Sequence, residues 1–219
     1  MPRPVVTTVT LVAAVSNGIC QTQALGAAGS LLLNGSLVNG SGVAVMDAAR
    51  QIAIQSSGND SGITFTVTGT LRPESNNVVS SATVTGTNAG TAVTVPNFLT
   101  VTSIVASGAV AGTVTVGTNG NGSGPWVAWS NYATDFAVGI AGYTMSGTPT
   151  WQVDYTYDDV FGLWLPSNVP VARPIALATL SGIVGNADGR IAGTGVRATR
   201  LTLTSAPGSV QLTQIQQGG

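Results

Sequence analysis

Three aspartates lie close together in the second half of the chain, where paired carboxylates could perform chemistry. Asp154 and Asp158 would share one face of a strand, and Asp159 follows directly. Two carboxylates at suitable spacing can serve as the acid and base of a glycosidase, or can hold calcium. The Asp-x-Asp-x-Asp-Gly spacing of a calcium loop is absent, however, and apolar and aromatic residues alternate from 151 to 157 as in a strand. Calcium-dependent or hydrolytic action at this pair is therefore an alternative hypothesis.

The residue types that most enzymes use are missing from the rest of the sequence. There is no histidine and Cys20 is the single cysteine, which excludes Ser-His-Asp and Cys-His catalysis and removes the commonest metal ligands. The glycine-rich stretch 117–124 lacks the Gly-Lys-Ser/Thr ending of a phosphate-binding loop. We therefore predict a protein that is not an enzyme and that has no catalytic, metal or cofactor-binding residues.

Charge is scarce in this chain. Charged residues make up 7% of the sequence, against roughly 25% in an ordinary soluble domain, and the net charge is −1. With so little electrostatic repulsion between copies, we expect a homo-oligomer or a larger assembly. No basic run suits nucleic acid, and no stretch reaches the ~18 apolar residues of a membrane span. Residues 5–15 lack the features of a signal peptide, so we expect synthesis in the cytoplasm without membrane or nucleic-acid partners.

Strand patterns dominate the chain and predict an all-β fold. Apolar residues alternate with threonine from Ile63 to Thr70 and from Val110 to Val116, which places them on one face of a strand. Residues 119–124 contain little to bury and are predicted to be a linker. We therefore predict two β-sandwich-like domains, at 18–118 and 125–219.

The second half of the sequence echoes the first, which predicts an internal duplication. The repeat equates Ile54 with Ile140, and segments around Phe65 and Ile104 with segments around Val153 and Leu201. The extra length of the second copy falls between residues 155 and 198.

Two segments are predicted to reach other subunits. Residues 1–17 form an extended N-terminal arm that is apolar enough to need a partner surface, with Val5, Val9 and Leu11 as contacts. Removal of residues 1–15 is expected to leave the chain folded but to abolish its incorporation into a larger particle. The insert 161–180 is punctuated by three prolines and offers apolar anchors at Trp164 and Leu165.

Tryptophan and arginine side chains supply further contact hypotheses. Trp126 is predicted to fill the core or a subunit interface, although Trp126 and Trp129 could instead form a sugar-stacking platform. Arg197 and Arg200 lie near the last predicted strand pair and could form bidentate contacts to an acid of another subunit.

Seven segments share Thr/Val strands with recurring Gly and Trp positions: 59–69, 101–104, 112–117, 124–127, 150–159, 197–203 and 208–212. Through these segments the chain from about residue 18 onward resembles structural proteins of tailed bacteriophage virions. The resemblance implies a structural role that decorates or cements a capsid, with the major capsid protein or other virion proteins as partners and the virion as the location. A neck, tail or fibre component, including a carbohydrate-binding adhesin, is the alternative. The family offers no functional residue to carry over, because the likeness consists of strand patterns and includes no catalytic signature.

Overall fold

The computed structural model describes residues 3–71, 79–130, 137–160, 172–192 and 195–217. Antiparallel strands form nearly all of its regular structure, with one 3-10 turn at Ala178–Leu180, so the prediction of an all-β fold is confirmed. None of its helical segments is long or apolar enough to cross a membrane, within the described ranges. The strands, in chain order, are β1 (Val5–Leu11), β2 (Cys20–Gln23), β3 (Gly29–Ser30), β4 (Ala44–Ser56), β5 (Thr64–Leu71), β6 (Val79–Thr85), β7 (Thr91–Val93), β8 (Phe98–Ala106), β9 (Val114–Ser123), β10 (Val127–Ala128), β11 (Ala137–Gly147), β12 (Thr150–Thr156), β13 (Ile175–Ala176), β14 (Ile183–Val184), β15 (Ala187–Ala192), β16 (Ala198–Leu203) and β17 (Gly208–Gln217).

The chain divides into two compact units. Among the described residues, the first unit comprises 14–71 and 79–119, and the second contains β1 together with the residues from Gly120 onward. Strand β9 begins in the first unit and ends in the second.

The first unit is built on a sheet with the strand order β9-β4-β8-β5-β6, to which β2, β3 and β7 add short pairings. Apolar residues alternate with threonines along the strands, as in β5, where the apolar side chains point into the core and the threonines between them stay at least partly exposed. The fully buried core residues include Ile52, Ile54, Phe65, Val67, Val101 and Ile104.

A buried arginine in the first unit is paired with an aspartate that is itself partly exposed. The Arg50 guanidinium is 1% exposed and donates from Nε and Nη2 to the two carboxylate oxygens of Asp47, both at 2.6 Å. Its Nη1 donates to the backbone carbonyl of Asn119 at 3.2 Å. This pairing compensates the Arg50 guanidinium for its removal from water, which would otherwise cost several kcal/mol.

The second unit contains two sheets that pack face to face. One has the order β1-β17-β11-β15, and the other includes β13-β12-β16 with the end of β9. Trp151 of β12 reaches across to β11, where a Cβ built on Gly142 would lie 2.2 Å from its ring. Only glycine leaves room for that indole. The inward side chains include Val9, Leu11, Val138, Val153, Leu201, Leu203 and Leu212.

The structure differs from the prediction of a free N-terminal arm at 1–17. Strand β1 pairs with β17 over seven consecutive residues, from Val5 opposite Gln214 to Leu11 opposite Gly208. Val9 and Leu11 are buried by their own chain. The sequence correctly predicted an extended apolar segment that needs a partner. The alternation of apolar residues does not distinguish a partner on another subunit from a strand about 200 residues along the same chain.

The predicted linker at 119–124 is instead largely the end of β9. Within it, Gly122 and Ser123 pair with Leu203 and Thr202 of β16. Glycine in this strand serves close approach, since a Cβ on Gly117 would lie 1.8 Å from the carbonyl oxygen of Val15. Composition alone favoured a linker because glycine and asparagine are poor strand formers.

Strands that the sequence repeat equates have corresponding neighbours in the two units. β5 pairs antiparallel with β8 in the first unit, as β12 does with β16 in the second. β4 neighbours β9, as β11 neighbours β17. The duplication itself stays a prediction. Of the predicted insert 161–180, residues 161–171, with Trp164 and Leu165, lie outside the described residues.

Gly58 provides a test of the loop packing in the first unit. A Cβ at this position would lie 1.4 Å from the backbone carbonyl oxygen of Ala111. We expect Gly58→Ala to lower the free energy of unfolding by about 3 kcal/mol, because backbone must move to admit the methyl group. Gly62→Ala is the matched control: no atom lies within 4 Å of its Cβ, so chemical denaturation should show little change. Equal stability of the two variants would contradict this packing.

Candidate interaction surface

The four-stranded sheet of the second unit has one buried face and one outward face. In β1 the odd-numbered residues point inward, which leaves Val6, Thr8 and Thr10 outside. Pairing places Thr8 opposite Gln211, and the hydroxyls of Thr10 and Ser209 lie 2.8 Å apart across the two strands. We call this surface the outer face and define it by Val6, Thr8, Thr10, Gly139, Ala141, Tyr143, Met145, Gln211, Thr213 and Ile215.

The outer face is partly apolar and has one charge of each sign along its β15 edge. None of its ten defining residues, which lie on β1, β17 and β11, carries a charge. On the edge strand β15, Asp188 lies opposite Ala141 and Arg190 opposite Gly139, so these two charges project on the same side of the sheet. Four large apolar side chains on the face are exposed: Val6 at 53%, Tyr143 at 46%, Met145 at 59% and Ile215 at 39%.

A concentration of exposed apolar residues on one sheet face marks a candidate contact surface. None of these four residues was named as a contact from the sequence. Alternation in β11 marks Tyr143 and Met145 as outward, but only the strand pairing shows that Val6 and Ile215 share their sheet face.

Trp126 and Arg200, both predicted at an interface, meet each other inside the second unit. The Arg200 guanidinium carbon lies 4.5 Å from the centre of the Trp126 ring, a cation–π contact. Arg200 Nε also donates to Asp154 Oδ2 at 3.0 Å. The same carboxylate accepts hydrogen bonds from Thr202 at 2.7 Å and Gln152 at 2.6 Å. The acid that Arg200 was expected to find on another subunit is therefore on the neighbouring strand of its own sheet.

The tryptophans described in the structure are too buried to form a sugar-stacking platform. Trp126 and Trp129 are 8% and 9% exposed, and Trp151 is fully buried. The Trp129 indole donates to the hydroxyl of Thr199 at 2.8 Å, and that hydroxyl donates to Gln214. These contacts order the interior of the unit and leave no ring face available to a glycan.

Asp154 and Asp158 do not form a common site. Asp154 is committed to Arg200, whereas Asp158 accepts hydrogen bonds from Arg173 at 2.7 Å (backbone N), 2.8 Å (Nη2) and 3.1 Å (Nε). Among the described residues, no three acidic, histidine or cysteine side chains cluster as metal ligands. The carboxylate arrangement that the hydrolytic or calcium-dependent hypothesis required at this pair is therefore not formed.

The ion pair of Asp158 with Arg173 predicts a small effect of pH on stability. Hydrogen bonds from the Arg173 side chain and backbone lower the pKa of Asp158 below its usual value. The ion pair therefore stabilises the fold above the unfolded aspartate pKa of about 3.9, and this contribution is lost as the pH falls through the lower folded value. We expect Asp158→Asn to be slightly less stable than wild type at neutral pH, with the difference vanishing in acid unfolding measurements. A difference that grows in acid would contradict this sign.

The remaining predicted contacts have mixed positions. Val5 is half-buried at the start of β1, and Arg197 is exposed, with its backbone N–H donating to Thr156 at 2.8 Å. An intermolecular role for Val5 and Arg197 stays a prediction.

Cys20 is fully buried, and burial raises the pKa of its thiol to about 12, so that the thiol is neutral at physiological pH.

Comparison with known proteins leaves the family open. No protein-family model matches the chain, and no curated protein is significantly similar to it in sequence. A solved structure of the stem and receptor-binding domain of a spike protein from bacteriophage PM2 aligns at a TM-score of 0.19 and 9% identity, over 99% of this chain and 98% of that one. Agreement at that level does not establish a shared fold, and no conclusion about this chain rests on it.

Proposed function

We propose that this chain is a non-enzymatic structural subunit of a tailed bacteriophage virion, which decorates or cements the capsid through protein–protein contacts. The resemblance of its strand segments to virion proteins directs the proposal to this class. The observation that carries it is the outer face, whose strands β1, β17 and β11 present no charge and expose four large apolar side chains. After synthesis in the bacterial cytoplasm, the chain would bind the major capsid protein, other virion proteins or further copies of itself.

The physical basis is the low cost of desolvating such a face. Burying a sheet surface with few charges strips water from few strongly solvated groups, and every Å² of apolar area removed from water contributes about 25 cal/mol. Permanent interfaces are large and relatively apolar for this reason. A chain with 7% charged residues can form contacts of this kind without like-charge repulsion.

A neck, tail or fibre position is the alternative within the same class. It would use the same outer face, because neither the composition nor the sheet surface specifies which virion protein is the partner. The carbohydrate-binding version of this alternative lacks its stacking platform, since Trp126 and Trp129 are buried.

A charge placed on the outer face tests the proposal. We expect Tyr143→Asp to leave the chain folded, because Tyr143 is 46% exposed, and to reduce its co-sedimentation with particles at least about tenfold. Burying an uncompensated carboxylate in an interface costs several kcal/mol, and ~1.4 kcal/mol already corresponds to tenfold in affinity.

The matched control is Val105→Asp, an exposed apolar residue on a strand of the first unit. It should co-sediment like wild type. Unchanged incorporation of folded Tyr143→Asp would remove the outer face from the proposal, and equal loss in both variants would show that the effect is not specific to this face.

A further inference from the structure

One group of loops in the first unit collects buried oxygen atoms that lack hydrogen-bond partners. In the described part of the chain, four buried side-chain polar atoms have no partner: Ser56 Oγ, Asp60 Oδ2, Thr87 Oγ1 and Gln214 Nε2. Native proteins leave few such atoms, and each needs a physical explanation. The first three are all oxygens. They belong to two segments, 56–60, which begins at the last residue of β4, and 87–90, which we call the loop cluster.

Backbone hydrogen bonds hold the segments of the loop cluster together. The Ser56 N–H donates to the carbonyl of Gly90 at 2.9 Å, and the Asp60 N–H donates to the carbonyl of Thr87 at 3.0 Å. Gly86 permits the close approach, because a Cβ there would lie 2.4 Å from the Asp60 carbonyl oxygen. The three unpartnered oxygens therefore lie on segments whose positions are fixed by their own backbone contacts.

Asp60 carries the charge of the loop cluster. Its side chain is 0% exposed, and its Oδ1 accepts a hydrogen bond from the Ala111 N–H at 2.7 Å. Its Oδ2 is unpartnered, and no arginine in the described ranges forms an ion pair with it. An ionised carboxylate removed from water requires a compensating positive charge or several donors. One backbone N–H supplies only part of that compensation.

We propose that the loop cluster binds a hard cation through Asp60, with the hydroxyl oxygens of Ser56 and Thr87 as neutral ligands. A site made of oxygen atoms alone selects hard cations over the soft metals that prefer sulfur or imidazole. Calcium fits best among them, because it accepts irregular sets of roughly six to eight oxygens from side chains, backbone carbonyls and water, whereas magnesium demands a near-ideal octahedron. The bound ion ties the Ser56–Asp60 turn to the Thr87–Gly90 turn and stabilises the first unit.

Thermal unfolding of the full chain, freed of metal by chelator and desalting, tests this site. We expect saturating CaCl₂ to raise the unfolding midpoint by about 5 °C, since a ligand that binds the folded state alone stabilises it by mass action. MgCl₂ and NaCl at matched ionic strength identify the ion: a larger rise with either would assign that cation to the same oxygens. Metal analysis of chain purified without chelator should find one cation per chain.

Variants make the test specific to the loop cluster. Asp60→Asn should abolish the rise, whereas Asp188→Asn, an exposed aspartate in the second unit, should retain it. If Asp60→Asn fails to fold, Thr87→Val, which removes one neutral ligand, should move the calcium titration to several-fold higher concentration. No midpoint shift with any of the three cations, or a shift that Asp60→Asn and Thr87→Val leave unchanged, would overturn the proposal.

Discussion

Deletion of residues 1–11 is expected to unfold the second unit, not to release a dispensable arm. β1 contributes seven paired residues to the edge of the four-stranded sheet and buries Val9 and Leu11. Burial of two such side chains contributes roughly 3–6 kcal/mol, which is a large share of the stability of a domain this size. The deletion also uncovers the inward residues of β17, which would then contact water.

Tryptophan fluorescence measures this effect selectively, because all four tryptophans lie between residues 126 and 164. We expect the deletion to shift emission toward that of exposed indole and to abolish or strongly lower the corresponding thermal transition. Point variants separate the two faces of the strand: Leu11→Asp should reproduce the loss, whereas Thr8→Asp, exposed on the same strand, should not. A deletion variant with native emission and native stability would restore the free-arm interpretation.

Asp154→Ala is expected to destabilise the second unit by about 3 kcal/mol. The substitution leaves Arg200 without its anion and removes the acceptor for Thr202 and Gln152. Removing one partner of a buried ion pair typically costs ~3–5 kcal/mol, and the lower value applies because Arg200 retains 13% exposure. Urea unfolding followed by circular dichroism provides the measurement.

Two comparisons identify the cause of that loss. Asp158→Ala removes an aspartate whose partner Arg173 is 81% exposed, and it should have a much smaller effect. The double variant Asp154→Ala/Arg200→Ala should be more stable than the sum of its single variants predicts, since the unpaired charge has also been removed. Additive losses, or equal losses at Asp154 and Asp158, would contradict a coupled buried pair.

The sequence predicted features that depend on neighbouring residues, and it did not predict which distant strands pair. Alternation is local, so the inward positions of Phe65 and Val67 in β5 could be identified without a structure. The partner of β1 could not, because pairing with β17 joins the two ends of the chain. Compositional signals failed where pairing outweighed propensity, as at the glycine-rich end of β9.

The candidate surfaces show the same division. Arg200 and Trp126 are residue types enriched at interfaces, and the sequence could not show that Asp154 lies beside Arg200 on the next strand. Conversely, Tyr143 and Val6 belong to strands far apart in sequence, and they form one surface only because β17 lies between β1 and β11. The unpartnered oxygen of Asp60 gives no sequence signal, since Asn-Asp-Ser-Gly is also an ordinary turn.

We propose above all that this chain is a virion subunit that acts by binding through its surface. Quantitative mass spectrometry of purified phage particles released by cells that carry this coding sequence, combined with imaging of the labelled chain, tests this role. We expect the chain in intact particles at a fixed copy number, with a high number distributed over the capsid if it decorates or cements the shell. Recovery of the chain only from the particle-free fraction of the lysate would rule out a role as a virion subunit.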